Sequence, residues 1–520
     1  MNKISIENKF ATELPGDPDK RNISRQVQEA CYSEVTPTPT ANAQLIHSSP
    51  EMRDELNLDE LKPKDFLAYF SGQKLIPGSI PFAMCYGGHQ FGNWAGQLGD
   101  GRAINLCEIK GKTQTWATQL KGAGHTPFSR TADGLAVLRS SIREYLCSEA
   151  MFHLGVPTTR ALSLSLTGNK VMRDILYDGN PDYEKGAVVS RVAPSFIRFG
   201  SFEIFASRGD KKTLTELVNY TIKHHFSHLG EPSKKTYLAF FKEIVETTRK
   251  MVVDWQRVGF VHGVMNTDNM SIHGVTIDFG PYGWLEDYDE SWTPNTTDAQ
   301  NRRYRFGNQP SVALWNLTQL ANALYPLIEE VEPLQEILDY YKSQYQLNYL
   351  LMMLEKIGVF TFDKGDEKLI DDLIKNLSES EMDFTLFFRN LNRFDSKNKE
   401  NHLKLIEKDS YLSKIELDRQ INSWSAWLDS YSKRLKKETI SNEKKIEKMN
   451  LVNPKYVLRN WMSQLAIDKA DKEDYSLINE LFDLLKKPYT EQPEMEEKWF
   501  TKRPDWAKEK VGCSMLSCSS

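Results

Sequence analysis

The sequence contains no long hydrophobic run and little cysteine. None of its segments approaches the roughly 18 consecutive apolar residues of a membrane span, and the first residues, MNKISIENKF, lack the apolar core of a signal peptide. The six cysteines are scattered, without the paired spacing of a zinc site, as is usual in a reducing compartment. The sequence therefore predicts a cytoplasmic protein without a membrane partner.

An excess of basic residues is also missing. The net charge is −5 and the isoelectric point is near 6.1, so the overall charge gives no reason to expect a nucleic-acid partner. The chain is 40% hydrophobic and 26% charged, values typical of a folded globular protein, and its 520 residues exceed one ordinary domain. We expect two or more lobes, and a monomer is the default expectation.

The order of patterns along the chain predicts an α+β protein with a bilobed, protein-kinase-like fold. Residues 1–60 are predicted to be irregular, short strands with glycine turns follow, and a helix is predicted from Asp133, as N-cap, to about Gly155. The strand-like GAVVSRVA then precedes mainly helical sequence. The predicted segments are an N-terminal wrapping segment (1–75), a small β-rich N-lobe (76–185), a helical C-lobe core (186–310), a helical C-terminal extension (311–500) and a tail (501–520).

The stretch HGVMNTDNM, residues 262–270, is close to a kinase catalytic loop. In protein kinases this loop has the sequence H-R-D-x-x-x-x-N, in which the Asp accepts the substrate proton and the Asn binds a metal ion. Aligning His262 with the motif places Asn269 at the Asn and Val264 at the Asp. The carboxylate nearest to Val264 in the sequence is that of Asp268. The chain has therefore either lost the proton acceptor or has it at another position.

A second kinase-type motif follows nine residues later. Asp278-Phe279-Gly280 matches the metal-binding D-F-G motif of kinases, and the apolar segment MSIHGVTI separates it from Asn269. A hairpin here would present Asn269 and Asp278 to one ion, and magnesium prefers such oxygen ligands.

The segment before these motifs contains candidate phosphate-binding residues. Gly99 and Gly101 of GQLGDGR precede Lys121 at about the distance that separates a glycine-rich loop from the strand lysine in kinase folds. A helix glutamate would hold the lysine, and the candidates are Glu144 and Glu149, of which the helical wheel places Glu149 nearer the apolar stripe. In this strand Trp116, Thr118 and Leu120 are predicted to face opposite to Ala117, Gln119 and Lys121.

Two further features fit a phosphorylated ligand. Asp133 and Gly134 of TADG stand at the predicted helix start, where they either cap the helix or bind nucleotide. Arg191 and Arg198 are additional cations that an ordinary kinase site does not need, which indicates that more phosphate charge must be held in an unusual place.

Long segments of the chain resemble the selenoprotein O family, which includes the bacterial YdiU-type proteins. The similar strings cover nearly the whole chain: FATELPGD, ACYSEVTPTP, YGGHQFGNW, QLGDGR, QLKGAG, TPFSRTADGLAVLRSSIREYL, HGVMNTDNM, DFGPYGW and the terminal CSS. The resemblance implies a kinase-like enzyme that transfers AMP from ATP to Ser, Thr or Tyr hydroxyls of protein substrates and releases pyrophosphate. It also implies that ATP is bound flipped, with the α-phosphate facing the acceptor.

The same resemblance implies roles for individual residues. Lys121 and Glu144 would form the ion pair, and Asp268 would accept the proton. Asn269 and Asp278 would bind magnesium, with manganese as the alternative. The other residues that would bind the nucleotide are Gly99, Gly101, Arg102, Asp133, Gly134, Arg191 and Arg198.

Several alternatives stay open at this point. UMP transfer from UTP with manganese is a close variant, an inert nucleotide-binding scaffold is favoured by Val264 alone, and an ordinary phosphotransferase would use Asp268 as base. Family members can also pair a cysteine near the C-terminus with one after the D-x-G, but GPYGW has no cysteine. Cys513 is the nearer candidate partner for Cys518, and two free thiols are the alternative.

Overall fold

The structure, a computed structural model, describes residues 4–40, 42–174, 179–395, 397–513 and 515–517. It has an α+β architecture, as predicted, in which strands are concentrated in the first half of the chain and helices in the second. The strands are β1 (Ile6–Glu7), β2 (Tyr32–Glu34), β3 (Gln44–Ser48), β4 (Phe82–Met84), β5 (Gly87–Gln90), β6 (Asn93–Gln97), β7 (Ala103–Lys110), β8 (Thr115–Lys121), β9 (Ala136–Val137), β10 (Arg160–Arg173), β11 (Asp182–Ala193), β12 (Phe260–Val261) and β13 (Gly283–Trp284).

The helices pack around this sheet and fill the C-terminal half. They are α1 (Lys9–Glu13), α2 (Pro50–Glu55), α3 (Pro63–Phe70), α4 (Leu138–His153), α5 (Phe199–Ser207), α6 (Lys211–His225), α7 (Lys234–Val258), α8 (Gln309–Ile328), α9 (Glu332–Lys356), α10 (Asp366–Glu379), α11 (Phe384–Asn390), α12 (Lys399–Asp409), α13 (Lys414–Asp418), α14 (Ile421–Leu435), α15 (Asn442–Val452), α16 (Asn460–Ala470), α17 (Ser476–Leu485) and α18 (Pro493–Trp499). Among the described residues, no helix is both long and apolar enough to cross a membrane.

Nine of the described strands form one sheet, in which every pair is antiparallel. Its main order is β2-β4-β7-β8-β11-β10-β3, with β1 paired to β7 and β9 to β11. The N-terminal segment therefore supplies strands β1, β2 and β3 to the sheet, and the prediction that residues 1–60 are irregular is wrong. The sheet also continues through β11 to Ala193, beyond the predicted lobe boundary at 185/186; the domain boundaries themselves stay a prediction.

The predicted alternation along β8 accounts for the position of its lysine. Trp116 and Leu120 pack in one apolar cluster with residues of α2 and α3. Gln119 and Lys121 face the other side, where β8 lies between β7 and β11. Because side chains alternate along a strand, burying the first pair directs the lysine toward the cleft described below.

The predicted start of the long helix is wrong. Helix α4 begins at Leu138, not after Asp133, because Ala136 and Val137 pair with β11 as strand β9. Val137, the N-cap residue, makes no side-chain cap hydrogen bond. The end of the helix at His153 agrees with the prediction.

A buried carboxylate at the end of α12 makes the stability of the helical region depend on pH. Asp409 is 2% exposed, its Oδ2 accepts a 2.8 Å hydrogen bond from Asn390, and its Oδ1 has no partner among the described residues. Burial raises the pKa of Asp409 to about 7. Between about pH 4 and 7 the folded protein therefore retains a proton that the unfolded chain has released, so the free energy of unfolding falls as pH rises.

We predict that Asp409→Asn raises the free energy of unfolding by about 2 kcal/mol at pH 8 and has little effect near pH 4. Denaturant unfolding at both pH values measures this difference. Asp371→Asn, at an exposed position of α10, is the control and should leave the pH dependence unchanged. Equal stability of wild type and Asp409→Asn at pH 8 would contradict the prediction.

Candidate functional site

Most of the predicted site residues border one cleft between the sheet and the segments that follow it. A cavity of about 240 Å³ is bordered by Gly99, Gly101, Arg102, Lys121, Arg191, Arg198, Asp268 and Asp278. A neighbouring cavity of about 140 Å³ shares Arg102, Lys121 and Asp278 with it, and adds Glu144 and Asn269. Of the predicted residues, Asp133 and Gly134 border neither cavity.

The strand lysine is paired with the first of its two candidate glutamates. Lys121 Nζ lies 2.6 Å from Glu144 Oε2, and Glu144 is almost fully buried on α4. Glu149 instead accepts two hydrogen bonds from Arg160, at 2.8 and 2.7 Å. The helical wheel therefore favoured the wrong glutamate: both are buried, and only the tertiary structure shows which one lies opposite β8.

Two buried arginines lie at the inner end of the cleft. Arg191, on β11, donates to Glu144 Oε1 at 2.9 Å and also contacts the carboxylate of Asp278 and the amide oxygen of Gln119. Arg198 donates to Asp278 Oδ2 at 2.7 Å. Both pKa values are raised above the ordinary range, because the nearby carboxylates outweigh the effect of burial. Both guanidinium groups therefore stay charged.

Asp278 is the charge centre of the cleft. Besides contacting both arginines, its Oδ1 lies 4.0 Å from Lys121 Nζ. Burial alone would raise its pKa, but the charges of Arg198, Arg191 and Lys121 hold the pKa of Asp278 well below its usual range. Its φ of 57° is in the left-handed region, where a non-glycine residue is uncommon and often functional. The carboxylate is therefore ionised and held in a constrained position.

Asp268 has a different environment, although it borders the same cavity. Its Oδ2 accepts a 3.3 Å hydrogen bond from Gln90, and its Oδ1 has no partner among the described residues. Burial raises the pKa of Asp268 to about 7, partly offset by the charge of Arg198. Two aspartates in one cavity thus have opposite pKa shifts, an arrangement typical of sites that need both a charged ligand and a proton acceptor.

The loop that carries Asp268 is held by buried polar contacts. A 3-10 turn spans Thr267–Asn269, and Asn269 Nδ2 donates to the backbone carbonyl of Val264 at 2.9 Å. His262, which is buried, bonds the backbone carbonyl of Ile277 through Nε2 at 2.9 Å. The loop is therefore tied directly to the strand-like segment that leads to Asp278.

Asn269 and Asp278 have the donor chemistry that magnesium or manganese requires. Because Asn269 Nδ2 is used by Val264, its Oδ1 is the end left to act as a ligand. Asp278 is ionised, and both residues border the smaller cavity. The two residues fit a hard divalent cation, and their role as ligands stays a prediction.

Another group of metal-ligand side chains is found within the described part of the chain, away from the cleft. Ligand atoms of Glu51, Glu149 and His153 lie within 4.8 Å of one another. Arg160 is bonded to Glu149, and Lys486 lies 3.1 Å from Glu51. Because these cations already neutralise the carboxylates, this group does not compete with the cleft as a metal site.

The glycines of GQLGDGR have a packing role in the structure. An added Cβ would lie 2.3 Å from the Phe128 ring at Gly99, where φ is 81°, and 2.7 Å from the Phe128 carbonyl oxygen at Gly101. These glycines therefore allow the segment around Phe128, which also borders the larger cavity, to pack closely against them. Arg102, next in sequence, borders both cavities, and its charge contributes to the lowered pKa of Asp133.

Asp133 and Gly134 lie outside both cavities, between Ala132, which borders the larger one, and Ala136, which borders the smaller one. Asp133 pairs with Arg173 at 2.8 Å and accepts a hydrogen bond from the Leu135 backbone at 2.9 Å. At Gly134, whose φ is 73°, an added Cβ would lie 2.1 Å from the Gly124 carbonyl oxygen. Because α4 begins at Leu138, Asp133 and Gly134 are not at a helix start. The argument that a helix start binds nucleotide at this position therefore no longer applies.

Of the two tail cysteines, one lies in the described part of the chain. Cys513 is buried, and Cys518 lies outside the described residues. The two alternatives for this pair stay open.

Three polar residues of the site were missed from the sequence. Asp100, buried between Gly99 and Gly101, lies 3.9 Å from Arg198 and accepts a hydrogen bond from the Met84 backbone at 3.0 Å. Gln119 contacts Arg191, and Gln90 contacts Asp268. Of these three, only Gln119 could have been identified from the sequence, because the strand alternation places it on the same face as Lys121.

Taken together, the lysine–glutamate pair, the buried arginines and the carboxylate–amide pair are typical of an enzyme site for a phosphorylated ligand. A family model described as "Protein adenylyltransferase SelO" matches residues 20–486. The chain belongs to this SelO/YdiU family, and the prediction that it is an enzyme of the protein nucleotidyltransferase type is confirmed.

Three relatives, each named "Protein nucleotidyltransferase YdiU", match over essentially their whole length. The chain is 60% identical to the protein of Flavobacterium johnsoniae, with 100% of both chains covered. It is 52% identical to that of Aromatoleum aromaticum, again with 100% of both covered, and 51% identical to that of Rhodopirellula baltica, with 99% of both covered.

Proposed function

We propose that this protein transfers AMP from ATP to Ser, Thr or Tyr hydroxyls of protein substrates and releases pyrophosphate. ATP is bound flipped, with its β- and γ-phosphates toward Arg191 and Arg198 and its α-phosphate toward the acceptor. The observation that carries the proposal is that Asp268, a carboxylate free of any ion pair within the described residues, borders the same cavity as Lys121 and the two buried arginines. A proton acceptor and phosphate-binding cations thus share one space.

The residues account for both halves of the reaction. The acceptor oxygen attacks the α-phosphorus, its proton passes to Asp268, and the bond from the α-phosphorus to the bridging oxygen of the β-phosphate breaks. A pKa of about 7 suits a general base, which works best near the operating pH. The leaving pyrophosphate carries the developing charge, and Lys121, Arg191 and Arg198 are placed to stabilise it.

Asn269 and Asp278 would hold the divalent cation, magnesium in this proposal. When bound, the cation neutralises phosphate charge and polarises phosphoryl oxygens. Glu144 orients Lys121, since its carboxylate lies 2.6 Å from the ammonium group. Gly99, Gly101 and Arg102 border the larger cavity and are proposed to contact the nucleotide there. Asp133 and Gly134, which border neither cavity, are proposed to contact it from beside the cleft.

A kinase-like, bilobed arrangement is part of the same proposal. It is supported by a lysine on a central strand that pairs with a glutamate on the following helix, and by a loop that joins His262 to Asp278. In protein kinases the same parts surround the nucleotide.

ATP labelled separately at the α- and γ-phosphates distinguishes the candidate reactions. We predict that, with magnesium, α-label is retained on protein and γ-label appears only in released pyrophosphate. Intact-mass analysis of the chain itself and of added acceptor proteins should show the added mass of an AMP group. Parallel reactions with UTP and with manganese measure the preference for base and metal.

The other outcomes contradict the proposal in distinct ways. Retained γ-label would indicate an ordinary phosphotransferase. Bound nucleotide with no retained label of either kind would indicate an inert scaffold. Transfer from UTP with manganese but not from ATP would identify UMP transfer.

A further inference from the structure

A two-stranded hairpin, which the proposed mechanism does not use, contacts the catalytic loop. Strands β5 and β6 pair with each other and with no other described strand. Their neighbour is the loop at 266–269, which lies far away in sequence. A hairpin isolated from the main sheet gains little stability by itself, so its contacts with this loop need an explanation.

The hairpin binds the catalytic loop at three consecutive residues. The backbone N–H of His89 donates to Thr267 Oγ1 at 2.7 Å, and that of Phe91 donates to Asn266 Oδ1 at 3.1 Å. Between them, Gln90 Nε2 donates to Asp268 Oδ2 at 3.3 Å. Gln90 is thus the member of the hairpin whose side chain reaches the carboxylate.

A glycine allows this close approach. An added Cβ at Gly88 would lie 2.7 Å from Asp268 Oδ1 and 2.9 Å from Asp268 Cβ. The φ of Gly88 is not among the positive values found in this chain, so the backbone itself does not require glycine there. Glycine is required because Asp268 occupies the space that a side chain at position 88 would fill.

The hairpin is also held from behind. His89 Nδ1 lies 2.6 Å from Glu203 Oε2 on α5, the helix that follows Arg198. The hydroxyl of Tyr304 accepts a 2.9 Å hydrogen bond from the Phe91 backbone and donates to Asn266 Oδ1 at 2.5 Å. The contact with Asp268 is therefore made by a fixed element, as positioning of a reacting group requires.

We infer that the hairpin of β5 and β6 positions Asp268 for proton transfer, with Gln90 holding one carboxylate oxygen and Gly88 leaving room for the other. This inference rests on the proposed function. Gln90 and Gly88 are positioning residues: they act on the acceptor hydroxyl only through Asp268.

The test uses the full chain and compares three variants of the hairpin. Gln90→Met keeps the side-chain length but removes the donor, and should lower kcat for α-label transfer about tenfold. Gly88→Ala displaces the carboxylate and should lower kcat about a hundredfold. In both variants KM for ATP stays within about twofold of wild type, because the phosphate-binding cations are unchanged.

Asn93→Ala is the matched control. Asn93 is exposed on the same hairpin and donates only a 3.5 Å hydrogen bond to the Phe91 carbonyl, so this variant should transfer at the wild-type rate. Thermal unfolding of all three variants measures the effect on the fold. A purely structural role would lower the melting temperature without the selective loss of kcat.

Two results overturn the inference. Gln90→Met and Gly88→Ala could match Asn93→Ala in kcat, or they could raise KM for ATP at unchanged kcat, which would place the hairpin in nucleotide binding. Either result leaves the proposed function intact. A wild-type chain that transfers no label at all would instead overturn the proposed function, and this inference with it.

Discussion

Replacing Asp278 with alanine is expected to lower the rate of nucleotide transfer by about 10³-fold or more. Asp278 borders both cavities and contacts Arg191 and Arg198, with Lys121 at 4.0 Å. No other carboxylate of the described chain has this position. The variant loses the proposed metal ligand and, in the same step, the anion that orients the arginines.

Loss of chemistry must be separated from loss of fold, because removing one partner of a buried ion pair costs about 3–5 kcal/mol. Asp278→Asn keeps the size of the side chain and an oxygen acceptor for the arginines, and should retain most of the stability while losing most of the activity. Glu149→Gln is the matched control, since it also weakens a buried carboxylate–arginine pair, that with Arg160, but outside the cleft.

Binding of manganese, followed by its paramagnetic resonance signal, provides a readout besides activity. Wild type and Glu149→Gln should bind the ion in the presence of a non-hydrolysable ATP analogue, and Asp278→Asn should bind it at least tenfold more weakly, as expected when a charged ligand is lost. Full α-label transfer by Asp278→Ala would show that the metal assignment is wrong.

The local part of the site could be predicted from the sequence because strand periodicity and motif spacing are local properties. The alternation Trp116, Thr118, Leu120 against Gln119, Lys121 places the lysine on the cleft side, and β8 has this arrangement. The loop from His262 to Asp278 likewise joins residues that are close in sequence.

Pairings between distant segments could not be predicted in this way. Glu144 and Glu149 both lie on the buried part of α4, and the choice between them depends on which one faces β8 and which one faces Arg160. The start of α4 was misplaced for a related reason. A capping pattern at Asp133 competes with the pairing of β9 to β11, which the local sequence does not encode.

The hairpin contact with Asp268 is also a pairing between distant segments. Gln90 and Asp268 are separated by 178 positions in sequence, and no periodicity connects them. The family resemblance includes YGGHQFGNW among its strings without a role for it. Its hydrogen bonds to the loop at 266–268 are the basis of the role that we propose.

Asp268→Asn is expected to lower kcat by about 10²–10⁴-fold, the usual contribution of a general base. KM for ATP should be nearly unchanged, because Arg198 donates to the backbone carbonyl of Asp268, at 2.7 Å, and not to its carboxylate. The substitution keeps the side-chain size and an oxygen acceptor for Gln90. Steady-state kinetics with α-labelled ATP measure both parameters. A decrease in kcat of less than tenfold would show that the general base is another residue.

The same substitution should stabilise the fold, since a buried carboxylate without an ion pair is costly when ionised. Asp409→Asn is the matched control, because Asp409 is equally a buried carboxylate whose Oδ1 has no partner among the described residues. Both variants should raise the melting temperature at pH 8, but only Asp268→Asn should lose transfer. If both residues were merely tolerated buried acids, the two variants would behave alike; a selective loss at Asp268 would show that this carboxylate serves the reaction at the expense of stability.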